Sequence, residues 1–236
     1  YNYERESLMK NEIKIGRHII SENSPTYIIA EMSANHNMDY NRALKIIDAA
    51  ADAGADAVKI QTYTADTITI DCDNKYFQIN QGTLWDGTTL HKLYRTAYTP
   101  WEWQADLKKY AESKGLDLFS SPFDLTAIDF LEKIDMPAYK VASFEINDIP
   151  FIRKIAKTGK PIIISTGIAY LADIELALKT CKEEGNDNVI LLKCTSAYPA
   201  PYEDMNLKTI PSMSETFNCI TGLSDHSMGY AVDVAA

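Results

Sequence analysis

Two lysines stand where lysines are costly. Lys59 follows Ala57-Val58 and precedes Ile60, and Lys140 lies between Tyr139 and Val141. An ammonium group inside an apolar run must be paired or must serve a function. One reading pairs each lysine with a buried Asp or Glu of a neighbouring segment. The other gathers both lysines, with nearby hydroxyls, into an anion site, because such donors suit phosphate and carboxylate alike. Polar groups do recur at the ends of apolar runs. Glu31, Ser33, Asn35, His36 and Asn37 close the first run, and Lys59, Gln61 and Tyr63 the second. Ser120 and Ser121 close the next, followed by Lys140, Ser143 and Glu145, then Ser165 and Thr166. Lys193, Thr195, Ser196 and Tyr198 end the sixth, and Ser224, Asp225 and His226 the seventh. His226 is the histidine at a late run end. Taken alone, it reads as a hydrogen-bonded core residue more readily than as a metal ligand, and His36 reads as a brace within its polar loop. The HExxH, GxxxxGK[ST] and GxGxxG patterns are absent, so zincin, P-loop and dinucleotide chemistry lack their usual signatures.

The elements that must position these groups follow from periodicity. Apolar runs span 26–33, 57–63, 116–122, 138–143, 161–167, 189–196 and 219–226. Continuous runs of this length suit parallel strands buried on both faces. Helical patterns lie between them: Ala43, Leu44, Ile47, Ala50 and Ala51 share one face, as do Leu171, Ile174, Leu178 and Cys181. Trp103, Leu107 and Tyr110 mark another stripe, opened by Pro100. Gly54, Gly115 and Gly159 fall where helices should end, and Asp124 and Asp148 where the next two should begin. Alternating strands and helices imply a parallel sheet, with chemistry at the C-terminal strand ends. The expected fold is α/β, a TIM (β/α)8-type barrel truncated before strand eight; the alternative is a seven-stranded open sheet. The long connection 64–99 is expected to be a functional loop or lid.

Composition narrows the function further. Of 236 residues, 46% are hydrophobic and 24% charged, an ordinary globular balance. The net charge of −10 argues against a nucleic-acid partner, because phosphate backbones require a basic face. A few lysines in a cleft can still attract a small anion locally. The four cysteines show no CxxC spacing and read as reduced, buried thiols of a cytoplasmic protein rather than disulfides or a zinc site. No run approaches a membrane span, and the polar N-terminus carries no secretory pattern. Residues 1–9 are set aside as an N-terminal extension or appended sequence, and 10–236 are read as one incomplete TIM-barrel catalytic domain.

Seven ordered motifs carry a family resemblance. Glu31-Met32-Ser33-Ala34-Asn35-His36-Asn37 and Val58-Lys59-Ile60-Gln61-Thr62-Tyr63 come first. Phe119-Ser120-Ser121-Pro122-Phe123, Ala138 to Glu145 and Ile164-Ser165-Thr166-Gly167 follow. Cys194 to Pro199 and Gly222 to His226 complete the set. Together they resemble the sialic acid synthases from about residue 10 to the end. The strings Gln61-Thr62-Tyr63-Thr64, Gly82 to Asp86, Thr99 to Trp103, Ser143-Phe144-Glu145 and Glu203 to Leu207 are most similar to the pseudaminic acid branch of that family. Legionaminic acid, N-acetylneuraminic acid and spore-coat polysaccharide synthases share the core motifs.

The resemblance implies condensation of phosphoenolpyruvate with an acylated amino sugar, 2,4-diacetamido-2,4,6-trideoxy-L-altrose in the pseudaminic branch. It implies that Lys59, Ser121, Lys140, Ser143, Ser196 and Ser224 hold phosphoenolpyruvate, and that Gln61, Glu145 and Tyr198 face the sugar. Glu31 is implied as the acid/base. His226 is implied as one of two histidine ligands to a divalent metal, with Mn²⁺ expected and Mg²⁺ or Co²⁺ as alternatives. The family also carries a C-terminal antifreeze-like domain and forms a homodimer. Neither that domain nor an eighth strand is in this sequence, so the chain alone is expected to be weakly active or inactive. Two rival readings stand beside this one: a Schiff-base aldolase using Lys140 or Lys193, and a non-catalytic sugar-binding barrel fragment.

Overall fold

A computed structural model describes residues 11–80, 82 and 85–236. The extension 1–9 lies outside the described residues, as do Thr83 and Leu84 of the Gly82–Asp86 cue. The chain divides into two compact units, one of residues 27–136 and one of residues 11–26 with 137–236.

The second unit opens on an antiparallel hairpin that run-length reasoning did not find, β1 (Glu12–Ile15) and β2 (His18–Ser21). Its strands are four residues each, and Ile13 and Ile15 alternate inward to full burial. Gly16, at φ 53°, makes the turn.

In the unit 27–136, β3 (Ile29–Glu31), β4 (Ala57–Thr62) and β5 (Asp117–Pro122) are parallel neighbours in that order. α1 (Tyr40–Asp52) links the first two and buries Ala43, Ile47 and Ala50; Asp39 caps it by accepting from Arg42 N. The long connection after β4 is not structureless. It holds α2 (Ala65–Ile68) and α3 (Leu90–Ala97), then α4 (Trp101–Ser113). Pro100 does open α4, but the buried stripe is Gln104, Leu107 and Ala111. Trp103 and Tyr110 lie half-buried, one position off the face expected of them. Gln104 takes the inner place because its amide is satisfied there. Its Oε1 accepts from Thr62 Oγ1 at 2.7 Å and its Nε2 donates to the Thr99 carbonyl at 3.2 Å. α5 (Leu125–Lys133) starts at Asp124, which accepts from Thr126 N and Ala127 N.

In the unit 11–26 with 137–236, β6 (Tyr139–Val141), β7 (Ile162–Ser165), β8 (Val189–Cys194) and β9 (Ile220–Ser224) are parallel neighbours. α6 (Ile149–Ala156), capped by Asp148, and α7 (Leu171–Glu183) link them, followed by α8 (Thr209–Phe217) and α9 (Ala231–Ala235). Ile174, Ala177, Leu178 and Cys181 form the buried face of α7, whereas Leu171 is exposed. Ala200, Met205 and Val232 make a small core with Leu223, which packs the segment after β8 against α9. Gly54, Gly115 and Gly159 adopt φ of 79°, 88° and 70°, as left-handed helix ends require.

Each expected strand run contains one observed parallel strand, and helices follow the strands throughout. The architecture is α/β, of the TIM-barrel type.

Candidate active site

Strand parity decides which polar residues can act together, because alternate side chains leave opposite faces. In the unit 27–136 the register pairs Glu31 with Lys59 and Gln61 with Ser121. Lys59 and Ser121 therefore share a face. Lys59 is 7% exposed, forms an ion pair with Glu31, and donates to Ser121 Oγ at 3.5 Å. The Glu31 carboxylate also accepts from Ser33 N at 3.0 Å, where Ser33 takes a φ of 48°. The pairing reading of Lys59 is thus correct in part, since its partner is an acid on the adjacent strand. That acid is 40% exposed, so the pair lies open on one side. Ser120 points the other way. It meets Thr62 Oγ1 at 2.6 Å and the Ile60 carbonyl at 3.3 Å beneath Gln104, and it belongs to the strand–helix interior. His36 is buried as a brace: Nδ1 accepts from Met38 N at 3.1 Å and Nε2 meets Thr99 Oγ1 at 3.3 Å. Burial lowers its pKa, which favours the neutral ring.

The unit 11–26 with 137–236 assembles a denser cluster. The registers align Lys140 with Ile163, Ser165 with Leu192, and Cys194 with Ser224. Lys140, Ser165, Cys194 and Ser224 therefore share one face. Lys140, 7% exposed, donates to Ser165 Oγ at 2.7 Å. The buried Ser143, just past β6, accepts from Gly167 N at 3.1 Å. Ser196 Oγ lies 3.9 Å from Cys194 Sγ. His226 Nδ1 stands 3.1 Å from the Thr195 carbonyl and 3.8 Å from Cys194 Sγ. The exposed Tyr198 ring covers the imidazole, with centroids 4.3 Å apart at 42°. A Cβ at Gly167 would collide with Ser196 Oγ and come within 2.9 Å of Ser143 Oγ, so both hydroxyls would have to turn away.

Electrostatics confirm that these groups sense one another. Burial raises the Cys194 thiol, but His226 and the hydroxyls of Ser143 and Ser196 more than offset this and bring its pKa down to about 7. The same contact with Cys194 raises His226, opposed by burial and by the Lys140 cation. Glu145 is half-buried, with Oε2 buried and lacking a hydrogen bond among the described residues. Burial raises its pKa, opposed by its own backbone amide and by Lys140. Lys140 thus reaches both His226 and Glu145 through its charge.

Two residues fall outside the sequence-based expectation. Cys194 lies inside the cluster, and alternation along β8 with Ser196 was the signal that could have found it. Lys193 leaves the opposite face, donating to the Cys194 carbonyl at 3.1 Å and Thr195 Oγ1 at 2.7 Å. The expectation of reduced, buried thiols holds for Cys181, Cys194 and Cys219, whereas Cys72 is partly exposed.

The donor set offers one metal ligand. An Nδ1–H of His226 directed at the Thr195 carbonyl would leave Nε2 with its lone pair free to coordinate, the arrangement that orients metal-binding histidines. Among the described residues no group of three His, Cys, Asp or Glu is placed to hold an ion.

Comparison with known proteins decides the family. The model of the NeuB family matches residues 46–236, a stretch that includes Lys59, Lys140 and His226. The chain belongs to the NeuB family. It is 51% identical to the pseudaminic acid synthase of Campylobacter jejuni strain 81-176 over 89% of its length and 61% of that protein. It is 45% identical to the pseudaminic acid synthase of Helicobacter pylori over 90% of its length and 62% of that protein. The chain therefore spans about three fifths of the length of these NeuB relatives. The solved N-acetylneuraminic acid synthetase of Leptospira borgpetersenii, in complex with citrate, superposes with a TM-score of 0.85 at 32% identity, covering 96% of this chain and 74% of that one. No helix among the described residues is long and apolar enough to cross a membrane.

Proposed function

We propose that this chain carries the catalytic strands of a pseudaminic acid synthase. The reaction joins phosphoenolpyruvate, 2,4-diacetamido-2,4,6-trideoxy-L-altrose and water into pseudaminic acid and phosphate. The observation that carries this reading is the 51% identity to a pseudaminic acid synthase across most of the chain.

Lys59 with Ser121, and Lys140 with Ser143, Ser196 and Ser224, are assigned to the phosphate and carboxylate of phosphoenolpyruvate. Buried ammonium and hydroxyl donors suit such oxygens, and the Leptospira synthetase was solved in complex with citrate, itself a polycarboxylate. Glu31 neutralises Lys59 until the substrate phosphate arrives; the carboxylate so released is the acid/base for water adding at the enol carbon. Gln61 and Glu145 orient the sugar's hydroxyl and amide groups, and Tyr198 offers its exposed ring beside His226. His226 Nε2 would hold a divalent cation, with Mn²⁺ preferred to Mg²⁺ or Co²⁺. Bound there, the cation would supply Lewis-acid polarisation of the sugar's aldehyde oxygen. The whole protein is assigned to the cytoplasm as a homodimer, where phosphoenolpyruvate is at hand.

The test is phosphate release from phosphoenolpyruvate and Mn²⁺ with a panel of acylated amino sugars. Release with the diacetamido-trideoxy sugar well above that with N-acetylmannosamine is expected. Preference for another sugar moves the assignment within the NeuB family. Borohydride fixation of pyruvate onto Lys140 or Lys193 would replace it with a Schiff-base aldolase.

A further inference from the structure

Lys193 is a buried cation that the reaction above does not use. It is 9% exposed and occupies β8 one residue before Cys194, so it projects from the opposite face. A buried ammonium is costly unless its hydrogens find acceptors. Lys193 finds two, the Cys194 carbonyl at 3.1 Å and Thr195 Oγ1 at 2.7 Å. Burial lowers its pKa, and the nearby charges of Cys194 and Asp204 partly restore it.

Both acceptors lie on the stretch that holds the imidazole. Thr195 Oγ1 donates to the Asp204 carbonyl at 3.2 Å, which ties the strand end to the segment beyond it. The Thr195 carbonyl faces His226 Nδ1 at 3.1 Å, and Ala200 N donates to the His226 carbonyl at 2.9 Å. Thr195 is thus gripped through its hydroxyl on one side of the strand while its carbonyl sets the imidazole on the other.

We propose that Lys193 is a positioning residue for His226: by fixing Thr195, it holds the imidazole in the Nδ1–H tautomer and aims Nε2 outward. The tautomer arises in the chain's own hydrogen bonds, and only the turnover arm of the test rests on the synthase reading. Lys193→Met removes the donors at similar length, whereas Lys193→Arg keeps donors for both acceptors.

The experiment is ¹⁵N NMR of the histidine side chains in the metal-free protein, followed by Mn²⁺ titration read by paramagnetic broadening of His226. The wild type should show a single Nδ1–H tautomer. Lys193→Met should show a tautomer mixture and Mn²⁺ affinity lower by about tenfold, the usual effect of losing an outer-shell partner. Lys193→Arg should recover most of both. If Lys193→Met does not fold, Thr195→Val deletes the hydroxyl and keeps the carbonyl, and it should give the same mixture. In the whole enzyme kcat should fall about tenfold, with the phosphoenolpyruvate KM within about twofold of wild type. A folded Lys193→Met or Thr195→Val protein with an unchanged His226 tautomer and Mn²⁺ affinity overturns the proposal. Absence of turnover in the wild type, with the tautomer shift intact, overturns the synthase reading and leaves this one standing.

Discussion

Cys194 Sγ and His226 Nδ1 face each other at 3.8 Å, one at the end of β8 and the other two residues past β9. The thiol is lowered to about 7 and the imidazole is raised, each chiefly through the other once burial is set aside. Each group therefore favours the charged form of the other. Lys140, whose cation opposes charging of the imidazole, works against that coupling.

Replacing the sulfur should uncouple the pair. In Cys194→Ala the largest influence raising His226 is gone, so its titration midpoint should move downward. The sign follows from linkage. A raised imidazole pKa contributes stability below the unfolded value that is lost as pH rises through the folded one. In the wild type between about pH 6 and 8 this loss is opposed by Cys194, whose lowered thiol pKa adds stability as pH rises through about 7, and Cys194→Ala lacks both shares. Histidine NMR titrations and urea midpoints across that range check this; an unmoved His226 midpoint sinks it.

Glu145 gives the opposite case. Its pKa is raised by burial, and Oε2 lacks a hydrogen bond among the described residues. A raised carboxyl pKa means that ionisation is penalised in the fold. The penalty is fully present above the folded pKa and vanishes as pH falls below the unfolded one. Glu145→Gln should therefore raise the urea midpoint at pH 7 and leave it unchanged near pH 3. It should also raise the sugar KM, if Glu145 orients that substrate. An equal gain at both pH values would assign the effect to packing instead of charge.

Gly167 tests how tightly the cluster is built. Its Cβ direction is filled by Ser196 Oγ, by Ser143 Oγ at 2.9 Å and by Cys194 Cβ at 3.3 Å. Gly167→Ala should cost about 1–3 kcal/mol by overpacking, read as a drop in Tm. It should also raise the phosphoenolpyruvate KM, because the displaced serines are the assigned anion donors. An unchanged Tm would show that the loop yields freely.

The placement of these residues shows where sequence reasoning reaches and where it stops. Ser143, Ser196 and His226 were legible because each stands at the end of an apolar run, and run ends survive an error of a residue or two in strand bounds; Lys140 was legible because a cation inside such a run has to be paired or functional. The caps at Asp124 and Asp148 were legible because an acidic side chain before an apolar helix face has a local reason to be there. Facing was not legible in the same way. Ser120 and Lys193 end their runs as Ser121 and Cys194 do, yet a one-residue offset turns them to the opposite face. Gln104 shows the same limit in a helix. A polar residue took the buried position because Thr62 and Thr99, distant in sequence, satisfied its amide.

Lys59 and Glu31 separate charge neutralisation from chemistry. Lys59→Met should raise the phosphoenolpyruvate KM about ten- to hundredfold, the loss of one charge-assisted contact, with a smaller change in kcat. Glu31→Gln removes the counter-charge from Lys59 and the assigned acid/base together. It should leave substrate KM nearly unchanged, or lower it, while kcat falls. A Glu31→Gln enzyme with wild-type kcat would reduce Glu31 to a resting partner of the lysine.

His91 bears on the long connection after β4. Its ring is almost fully buried, with Nε2 2.8 Å from Asp66 and Nδ1 3.6 Å from Asp71. Both carboxylates are exposed, so the ring draws α2 and the following turn against α3. Tyr94 of α3 packs edge-on against Tyr63 at the end of β4, with centroids 5.5 Å apart, and Trp101 Nε1 donates to the Tyr63 carbonyl at 3.1 Å. The connection is therefore anchored at both ends, with His91 as the outer tie. His91→Ala removes a buried ring and both contacts, and local opening should become easier by about 1–3 kcal/mol. Limited proteolysis within residues 64–80 should accelerate about tenfold or more, since cleavage of a transiently open segment tracks its population. His91→Gln, which can still reach Asp66, should recover part of the resistance. Cleavage at the wild-type rate in His91→Ala would show that Tyr63, Tyr94 and Trp101 hold the connection without it.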